Sequence, residues 1–215
     1  MPNSIGANSD KARAKYRRLA RTYDLRLTVG RGLHRAVVRL APRPGETVVD
    51  VGCGTGLSFE LLARGVGAEG RVVGVELSPE MLRQAELRVQ REGWGNITLI
   101  NASAQEAELP AECDAALFVL THDMMRSREA LVNVLGAMKP GGRVVAAGSR
   151  RPPSWTGPLR AYVWLKARRY VTTFEGFAAP WSLLAELVPN LDVQPILLGA
   201  AYVASGTLDP IPRGS

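Results

Sequence analysis

The amino-acid sequence predicts an α/β fold, namely a seven-stranded, mostly parallel sheet with helices on both faces, preceded by N-terminal helices. Apolar, strand-like runs alternate with helix-like stretches over 46–188, and this alternation is typical of a parallel sheet covered on both faces. The last two strand-like runs, within 191–206, have no helix between them. Strands joined directly pair antiparallel, so we expect a C-terminal antiparallel hairpin at one edge of the sheet.

Two helices are expected before the first strand. Apolar residues recur at helical spacing in 11–26 and again in 31–40, and the second run ends at a turn with two prolines and a glycine. The expected organisation is a helical cap at 1–44, one globular domain at 45–206 and a tail at 207–215.

Strand and helix signals then follow one another through the domain. The run 113–120 is apolar, as expected of a strand buried on both faces, and Ser78-Pro79 supplies an N-cap and a first-turn proline. The expected strands are 46–51, 71–76, 96–101, 113–120, 143–148 and two within 191–206 that separate near Leu198 and Gly199. The expected helices are 56–66, one beginning at Ser78, 127–138, 154–170 and 181–188, with a turn at 139–142.

Composition restricts the class of protein. With 215 residues, of which 46% are hydrophobic and 22% charged, the chain has ordinary globular composition and suits one domain. No apolar stretch approaches the ~20 residues of a membrane span, and the first residues lack a secretory signal pattern. The two cysteines, Cys53 and Cys113, do not make a disulfide framework, so the cytoplasm is the expected location.

The net charge of +7 is unevenly distributed. Residues 1–44 carry eleven Lys and Arg against two Asp, and residues 150–170 carry six basic residues and no acidic one. Such a distribution suits an acidic partner. The candidates are a phosphate-bearing substrate, an anionic membrane and RNA. The alternative is that the basic residues only keep the protein soluble.

Three glycines follow the first expected strand, at Gly52, Gly54 and Gly56, and such a cluster needs a reason because glycine is entropically costly in a folded chain. With Asp50 they give the pattern D-x-G-x-G-x-G. A dinucleotide-binding loop would have its third glycine where Leu57 stands, and no Gly-Lys-Ser/Thr of a P-loop follows. Ligands of such sheets bind at the carboxyl ends of the strands, where this loop is expected.

The loop resembles motif I of the class I S-adenosylmethionine-dependent methyltransferases, and the resemblance extends over about 12–206, through 72–82 and 131–148. It implies a Rossmann-like fold and S-adenosylmethionine as the cofactor. Glu76 gives independent support, because an acid that ends the second strand can accept hydrogen bonds from both ribose hydroxyls. The expected cofactor-binding residues are Tyr16, Tyr23, Asp50, Gly52, Cys53, Gly54, Gly56, Glu76, Leu77, Ser103, Ala104 and Thr121.

Some of these residues depart from the family pattern or have a second interpretation. Ser103 stands where the family often has an Asp, and a serine can still accept a hydrogen bond from the adenine amino group, with weaker recognition. Tyr16 and Tyr23 lie in 15–24, which resembles the family's N-terminal segment and could close over the cofactor. The alternative is that they only anchor an amphipathic helix to the sheet.

In this family the segment after the fourth strand faces the transferred methyl group. Here it contains His122 and Asp123. A histidine beside an aspartate is a candidate proton acceptor, because histidine ordinarily titrates near neutral pH. His122 and Asp123 are therefore the candidate catalytic residues. The alternative is that the pair caps the following helix.

Residues 150–181 are expected to form a substrate lid. They contain three of the four tryptophans, Trp155, Trp164 and Trp181, among Arg and Lys. Aromatic and cationic residues of this kind occur at membrane interfaces, but they also wall apolar pockets.

The resemblance implies a methyltransferase that acts on a small molecule through N- or O-methylation, including natural products and lipid-like compounds. The chain is also similar to bacterial phosphatidylethanolamine N-methyltransferases and to ubiquinone and menaquinone methyltransferases, so a phospholipid head group, with peripheral contact to an anionic membrane, is one alternative. Transfer of an aminocarboxypropyl group and methylation of RNA are two others on the same fold. Nucleic acid is not the expected partner, because no stacking platform is recognisable.

The sequence has no clear pattern for a metal site or for an oligomeric state. Two histidines and two cysteines far apart in the sequence do not make a zinc pattern, so no metal is expected. The protein is expected to be a monomer or a homodimer, and the sequence does not distinguish between them.

Overall fold

The computed structural model describes residues 30–168 and 174–209. The predicted helix at 11–26, with Tyr16 and Tyr23, lies outside the described residues, as does most of the predicted tail. The division of the chain into cap, domain and tail therefore stays a prediction.

Seven strands form one mixed sheet. They are β1 (Thr47–Val51), β2 (Arg71–Val75), β3 (Ile97–Ile100), β4 (Cys113–Val119), β5 (Met138–Ser149), β6 (Asp192–Ile196) and β7 (Ala201–Thr207). Their order is β3-β2-β1-β4-β5-β7-β6; β1 to β5 pair in parallel, and β7 runs antiparallel to β5 and β6. The predicted fold class is confirmed. Because the chain changes direction across the sheet between β1 and β4, the loops after these two strands meet at the switch point.

Helices cover both faces of the sheet, as predicted. They are α1 (Gly30–Leu40), α2 (Phe59–Val66), α3 (Pro79–Glu92), α4 (Arg128–Gly136), α5 (Pro158–Ala167) and α6 (Ser182–Leu187). On one face, buried residues of α1 and α2 such as Leu40 and Leu62 pack with Leu117 of β4. On the other, Leu131 of α4 packs in a cluster with the next residue of β4, Phe118. Successive strand residues thus point to opposite cores, which explains the apolar run of β4.

Two element boundaries differ from the sequence-based expectation. The helix expected from Gly56 begins at Phe59, because Gly56 has a φ of +76° and belongs to the preceding loop. The turn expected at 139–142 lies within β5, where the pairing with β4 shifts register between Cys113 and Ala115. A bulge of this kind absorbs extra residues without ending the strand.

The predicted helix at 154–170 is interrupted. A 3-10 turn, Ser154–Thr156, precedes Gly157, and α5 begins only at Pro158, a residue suited to the first turn of a helix. At the C-terminal edge, β6 and β7 form the predicted hairpin, and the 3-10 turn Leu197–Gly199 occupies the predicted break.

Candidate active site

The glycine-rich loop leaves the carboxyl end of β1 and leads into α2. Gly52, Gly54 and Gly56 have φ values of +70°, +57° and +76°, a left-handed backbone that residues with a side chain rarely adopt. The N–H groups of Gly52 and Cys53 donate to the carbonyl oxygen of Val75 at 2.8 and 3.0 Å. These bonds fasten the loop to the end of β2.

Gly52 and Gly56 are required by contacts within the protein. A Cβ on Gly56 would lie 2.6 Å from the ring of Phe59, and a Cβ on Gly52 would lie 2.7 Å from Cγ2 of Thr121. The second contact shows that the loop after β4 packs directly on the glycine-rich loop. The structure therefore brings Thr121 beside the loop, and its contact with the cofactor stays a prediction.

Gly54 has a different environment. A Cβ on this residue would meet only Cε of Met81, at 3.5 Å, which is an ordinary van der Waals distance. The N–H of Gly54 donates to Oε2 of Glu76 at 3.1 Å. Gly54 thus presents bare backbone, with room beside it, next to a buried acid.

Glu76 follows β2 directly and is only 8% exposed. Its Oε1 accepts a hydrogen bond from the N–H of Ser78 at 2.8 Å, and its Oε2 accepts the one from Gly54. Burial raises the pKa of the Glu76 carboxyl, whereas these hydrogen bonds act in the opposite direction. Each carboxylate oxygen keeps a further lone pair, so the group fits a ligand with two adjacent hydroxyls, as the ribose of S-adenosylmethionine has.

Asn101 and Ser78 support this acid, and the role of Asn101 was not foreseen from the sequence. Its Nδ2 donates to the carbonyl oxygens of Glu76 and Leu77 at 2.9 and 3.2 Å. The hydroxyl of Ser78 caps α3 by accepting from the N–H of Met81 at 3.3 Å, as predicted. The role of Asn101 could have been inferred from its position, because Asn101 directly follows β3, the strand next to β2.

Asp50 lies beneath the loop, in the protein interior. It accepts a hydrogen bond from the hydroxyl of Ser58, a residue whose role the sequence analysis missed. Burial raises the pKa of Asp50 to about 7, the bond from Ser58 lowers it, and the charge of Glu76 raises it further. In this structure Asp50 supports the loop from below, and its contact with the cofactor stays a prediction.

The raised pKa of Asp50 predicts that stability depends on pH. Between pH 3.8 and about 7 the folded carboxyl keeps a proton that the unfolded chain releases. The free energy of unfolding therefore falls as the pH rises through this window. Asp50→Asn, which still offers Ser58 an oxygen, is expected to be more stable than the wild type at pH 8 by about 2–4 kcal/mol. This advantage in stability should disappear near pH 4. Urea unfolding of both proteins at the two pH values measures it. A difference in stability that does not depend on pH would contradict the raised pKa of Asp50.

The side chain of Cys53 also points into the protein. A Cβ on Gly74 of β2 would lie 3.0 Å from Sγ of Cys53. Burial raises the pKa of this thiol well above its usual value, and the charges of Asp50 and Glu76 act in the same direction. Cys53 therefore contributes its backbone to the loop, while its side chain is a packing element.

Ser103 and Ala104 follow β3, the strand next to β2. Ala104 is buried, and the hydroxyl of Ser103 donates to Oε2 of Glu106 at 2.8 Å. The hydroxyl oxygen can still accept a hydrogen bond, so its contact with adenine stays a prediction.

The loop after β4 contains the candidate catalytic residues. Leu120 has a φ of +59°, which turns the chain sharply at the end of the strand. The ring of His122 meets the ring of Phe177 edge to face, with 5.5 Å between centroids. Asp123 makes no capping hydrogen bond, and α4 is capped by Ser127 instead. Asp123 therefore does not cap α4, although it occupies the N-cap position of the 3-10 turn Met124–Arg126, without a side-chain hydrogen bond.

An apolar cavity adjoins His122 through Phe177. It measures about 440 Å³, and its lining is Arg151, Pro152, Gly157, Arg160, Ala161, Val163, Trp164, Phe174 and Phe177. The ring of Phe174 bridges its walls, lying 5.3 Å from the ring of Phe177 and 6.1 Å from that of Trp164. The volume lies in the range of small-molecule sites, and the cavity is partly open to solvent.

The structure describes residues 150–168 and 174–181 of the predicted lid. Residues 174–180 lie beside the loop after β4, where Glu175 forms an ion pair with Arg126 at 2.6 Å. The N–H of Arg151 donates to the carbonyl oxygen of Phe177 at 2.8 Å. The segments on both sides of the cavity are therefore tied to one another, and the function as a lid stays a prediction.

Two absences concern only the described part of the chain. No group of three or more His, Cys, Asp or Glu in 30–168 and 174–209 is arranged to hold a metal ion. No helix within these ranges is long and apolar enough to cross a bilayer.

A mostly parallel sheet with a glycine-rich loop after β1 and a buried acid after β2 is typical of domains that bind a nucleoside cofactor, and the D-x-G-x-G-x-G spacing favours S-adenosylmethionine among these cofactors. Residues 48–142 match the family model described as a methyltransferase domain. The fold is also that of a SAM-dependent methyltransferase from Aquifex aeolicus (TM-score 0.64, 17% identity, 87% of this chain and 97% of that chain). A putative O-methyltransferase from Nostoc punctiforme has a TM-score of 0.66 at 17% identity, over 89% of this chain and 60% of that one.

Three relatives extend the comparison at the level of sequence. The chain is 28% identical to a 2-phytyl-1,4-naphtoquinone methyltransferase of Nostoc punctiforme, over 87% of this chain and 85% of the relative. It is 33% identical to a demethylmenaquinone methyltransferase of Geobacillus kaustophilus (53% and 50%) and 31% identical to a nocamycin O-methyltransferase of Saccharothrix syringae (66% and 54%). The chain spans about half the length of the last two. These matches support a class I S-adenosylmethionine-dependent methyltransferase, a family whose cofactor is S-adenosylmethionine.

Proposed function

We propose that the protein methylates a small, largely apolar acceptor that binds in the cavity beside His122. The observation that carries the proposal is the lining of this cavity. Trp164, Phe174 and Phe177 offer ring faces and edges that suit a planar or unsaturated acceptor. Arg151 and Arg160, which also line it, suit an acceptor with a negative or strongly polar group.

The names of two relatives support the same substrate class. One is a 2-phytyl-1,4-naphtoquinone methyltransferase and another a nocamycin O-methyltransferase, so both names refer to small molecules. For this chain we propose the class of acceptor only, with oxygen or nitrogen as the methylated atom.

The residues around the glycine-rich loop are proposed to hold the cofactor. When bound, S-adenosylmethionine supplies a methyl group that its sulfonium already activates. The carboxylate of Glu76 is proposed to accept from two ribose hydroxyls, and the bare backbone at Gly54 to lie against the ligand. Ser103 and Ala104 are proposed to border the adenine ring. Thr121, whose buried Oγ1 has no hydrogen-bond partner among the residues described, would face the methionine part from the opposite side.

His122 is proposed to remove a proton from the acceptor, with Asp123 as its neighbour. An acceptor that arrives as a phenol or an ammonium has to lose a proton before or during transfer. His122 is suitably located, because Thr121 beside it packs on the loop of Gly52 while its own ring contacts Phe177 of the cavity. Phe177 is buried and keeps water away from this side of the ring.

The test of the acceptor class is a turnover screen of the full chain with S-adenosylmethionine. Phenols and hydroquinones, amines, and vesicles that contain phosphatidylethanolamine are compared, and each product is weighed by mass spectrometry. The proposal expects a gain of one methyl group on a small molecule. A gain of an aminocarboxypropyl group, or products only with vesicles, would contradict it in favour of the corresponding alternative.

Filling the cavity provides a matched mutational test. Val163→Phe places a ring in the cavity, so we expect the KM for the acceptor to rise at least about tenfold, since shape complementarity is lost. The affinity for the cofactor should not change, because Val163 is not among the residues expected to hold the cofactor. Val132→Phe, at an exposed valine of α4, is the control and should behave as the wild type. Equal KM values for the two variants would show that the acceptor binds elsewhere.

A further inference from the structure

An exposed apolar patch lies beside the cavity, at the edge of the sheet. Its centre is formed by Trp155, Leu197 and Leu198, which are 72%, 66% and 67% exposed. A Cβ on Gly199 would lie 2.8 Å from Cδ of Pro153, so the turn with the two leucines adjoins the turn with the tryptophan. We refer to these three side chains as the leucine–tryptophan patch.

The backbone under the two leucines is unusual. Leu197 and Leu198 have φ values of +51° and +54°, a left-handed conformation that is uncommon for any residue other than glycine, asparagine or aspartate. Two consecutive leucines in this conformation are strained, and the strain does not bury their side chains. Strained backbone clusters at functional sites, and large exposed apolar patches mark interaction surfaces.

The helix that follows this patch, α5, carries further exposed aromatic and apolar side chains. Tyr162, Trp164 and Leu165 of α5 are each half or more exposed. Arg168 lies over the ring of Trp164, with 4.7 Å between Cζ and the ring centroid, and Arg160 is exposed on the same helix. Apolar tips among aromatic rings and guanidinium groups are suited to the boundary between lipid head groups and acyl chains.

The charge of the segment indicates the sign of the partner. Residues 150–168 contain five basic residues and no acidic one. Two copies of so basic a surface would repel each other, which disfavours a homodimer through this patch. A surface of anionic phospholipids attracts each cation near it and also accepts the apolar side chains.

We infer that the leucine–tryptophan patch and α5 dock on the surface of an anionic phospholipid bilayer. The two leucines and Trp155 insert among the head groups, and the arginines contact lipid phosphates. Arg160 and Trp164 also line the cavity, so a docked protein holds the cavity next to the lipid. This inference does not depend on which acceptor is methylated.

The test is co-sedimentation of the full chain with phosphatidylcholine vesicles that contain or lack phosphatidylserine. We expect binding to the anionic vesicles only, weakening as salt is added. The double variant Leu197→Asn/Leu198→Asn should bind at least about tenfold more weakly, because two apolar side chains no longer leave water. Asparagine tolerates the left-handed backbone, so the Tm of the double variant should equal or exceed that of the wild type.

The same co-sedimentation measurement provides a control variant and the outcomes that would contradict the inference. Leu87→Asn changes an exposed leucine of α3, away from the patch, and should leave vesicle binding unchanged. No binding at low salt, or undiminished binding of the double variant, would overturn the inference. Light scattering adds a separate criterion: a wild-type dimer that the double variant dissociates would show that a second copy covers the patch.

Discussion

Gly54→Val is expected to abolish binding of S-adenosylmethionine while the domain stays folded. A Cβ on Gly54 meets only Met81 within the protein, at an ordinary contact distance, so the new side chain is not rejected by the fold itself. It would instead occupy the space beside the buried carboxylate of Glu76. In the proposed complex the cofactor lies in this space, against the bare backbone of Gly54. We expect the affinity to fall at least about 100-fold, because the ligand and the side chain would compete for the same space.

The backbone conformation requires a control of its own. Gly54 has a φ of +57°, and a side chain in this region costs about 1–2 kcal/mol wherever it occurs. Gly93 ends α3 with a φ of +68° and has no atom within 4 Å of an added Cβ. Gly93→Val therefore carries a similar strain away from the loop and should bind the cofactor normally. If the two variants bind alike in a calorimetric titration, the loop is only a structural turn.

His122→Ala is expected to lower kcat about 100-fold or more, which is the usual contribution of a positioned general base. The Kd of the cofactor should change little, because His122 itself is not among the candidate residues that hold the cofactor. If His122 acts as the base, the pH profile of the wild type should rise with pH, and the variant should lose this ascending limb. Steady-state kinetics across pH, together with titration of the cofactor, separate the two effects.

A packing role for His122 is tested by a second variant. His122→Phe keeps an aromatic ring against Phe177, where the two rings now meet edge to face, but cannot accept a proton. We expect His122→Phe to be as inactive as His122→Ala. Activity retained by the phenylalanine variant and lost in the alanine variant would assign His122 to packing.

Most of the fold could be predicted from the sequence because local patterns determine it. The apolar run of β4, the loop D-x-G-x-G-x-G and the cap formed by Ser78 each act over a few residues. The start of α2 at Phe59 rather than Gly56 was missed because loop and helix share the same small and apolar residues. Only the left-handed φ of Gly56 and the ring of Phe59 packed on it decide this boundary.

The candidate site was predictable only where a motif spans it. Glu76 follows from its position at the end of β2, but the contact of His122 with Phe177 joins residues that are distant in the sequence. The cavity depends on the same kind of contact, and no periodicity encodes it. The left-handed turn at Leu197 and Leu198 could not be foreseen either, since leucine seldom adopts this backbone.

Calorimetric titration of the wild type with S-adenosylmethionine and with NAD tests the central claim most directly, since both cofactors have a ribose for the acid after β2. We expect S-adenosylmethionine to bind and NAD not to bind. Glu76→Gln keeps the shape of the side chain and should weaken binding at least tenfold, or ~1.4 kcal/mol, because two hydroxyls lose a charged acceptor. Tight binding of NAD together with no binding of S-adenosylmethionine would contradict the assignment of the cofactor and of the site.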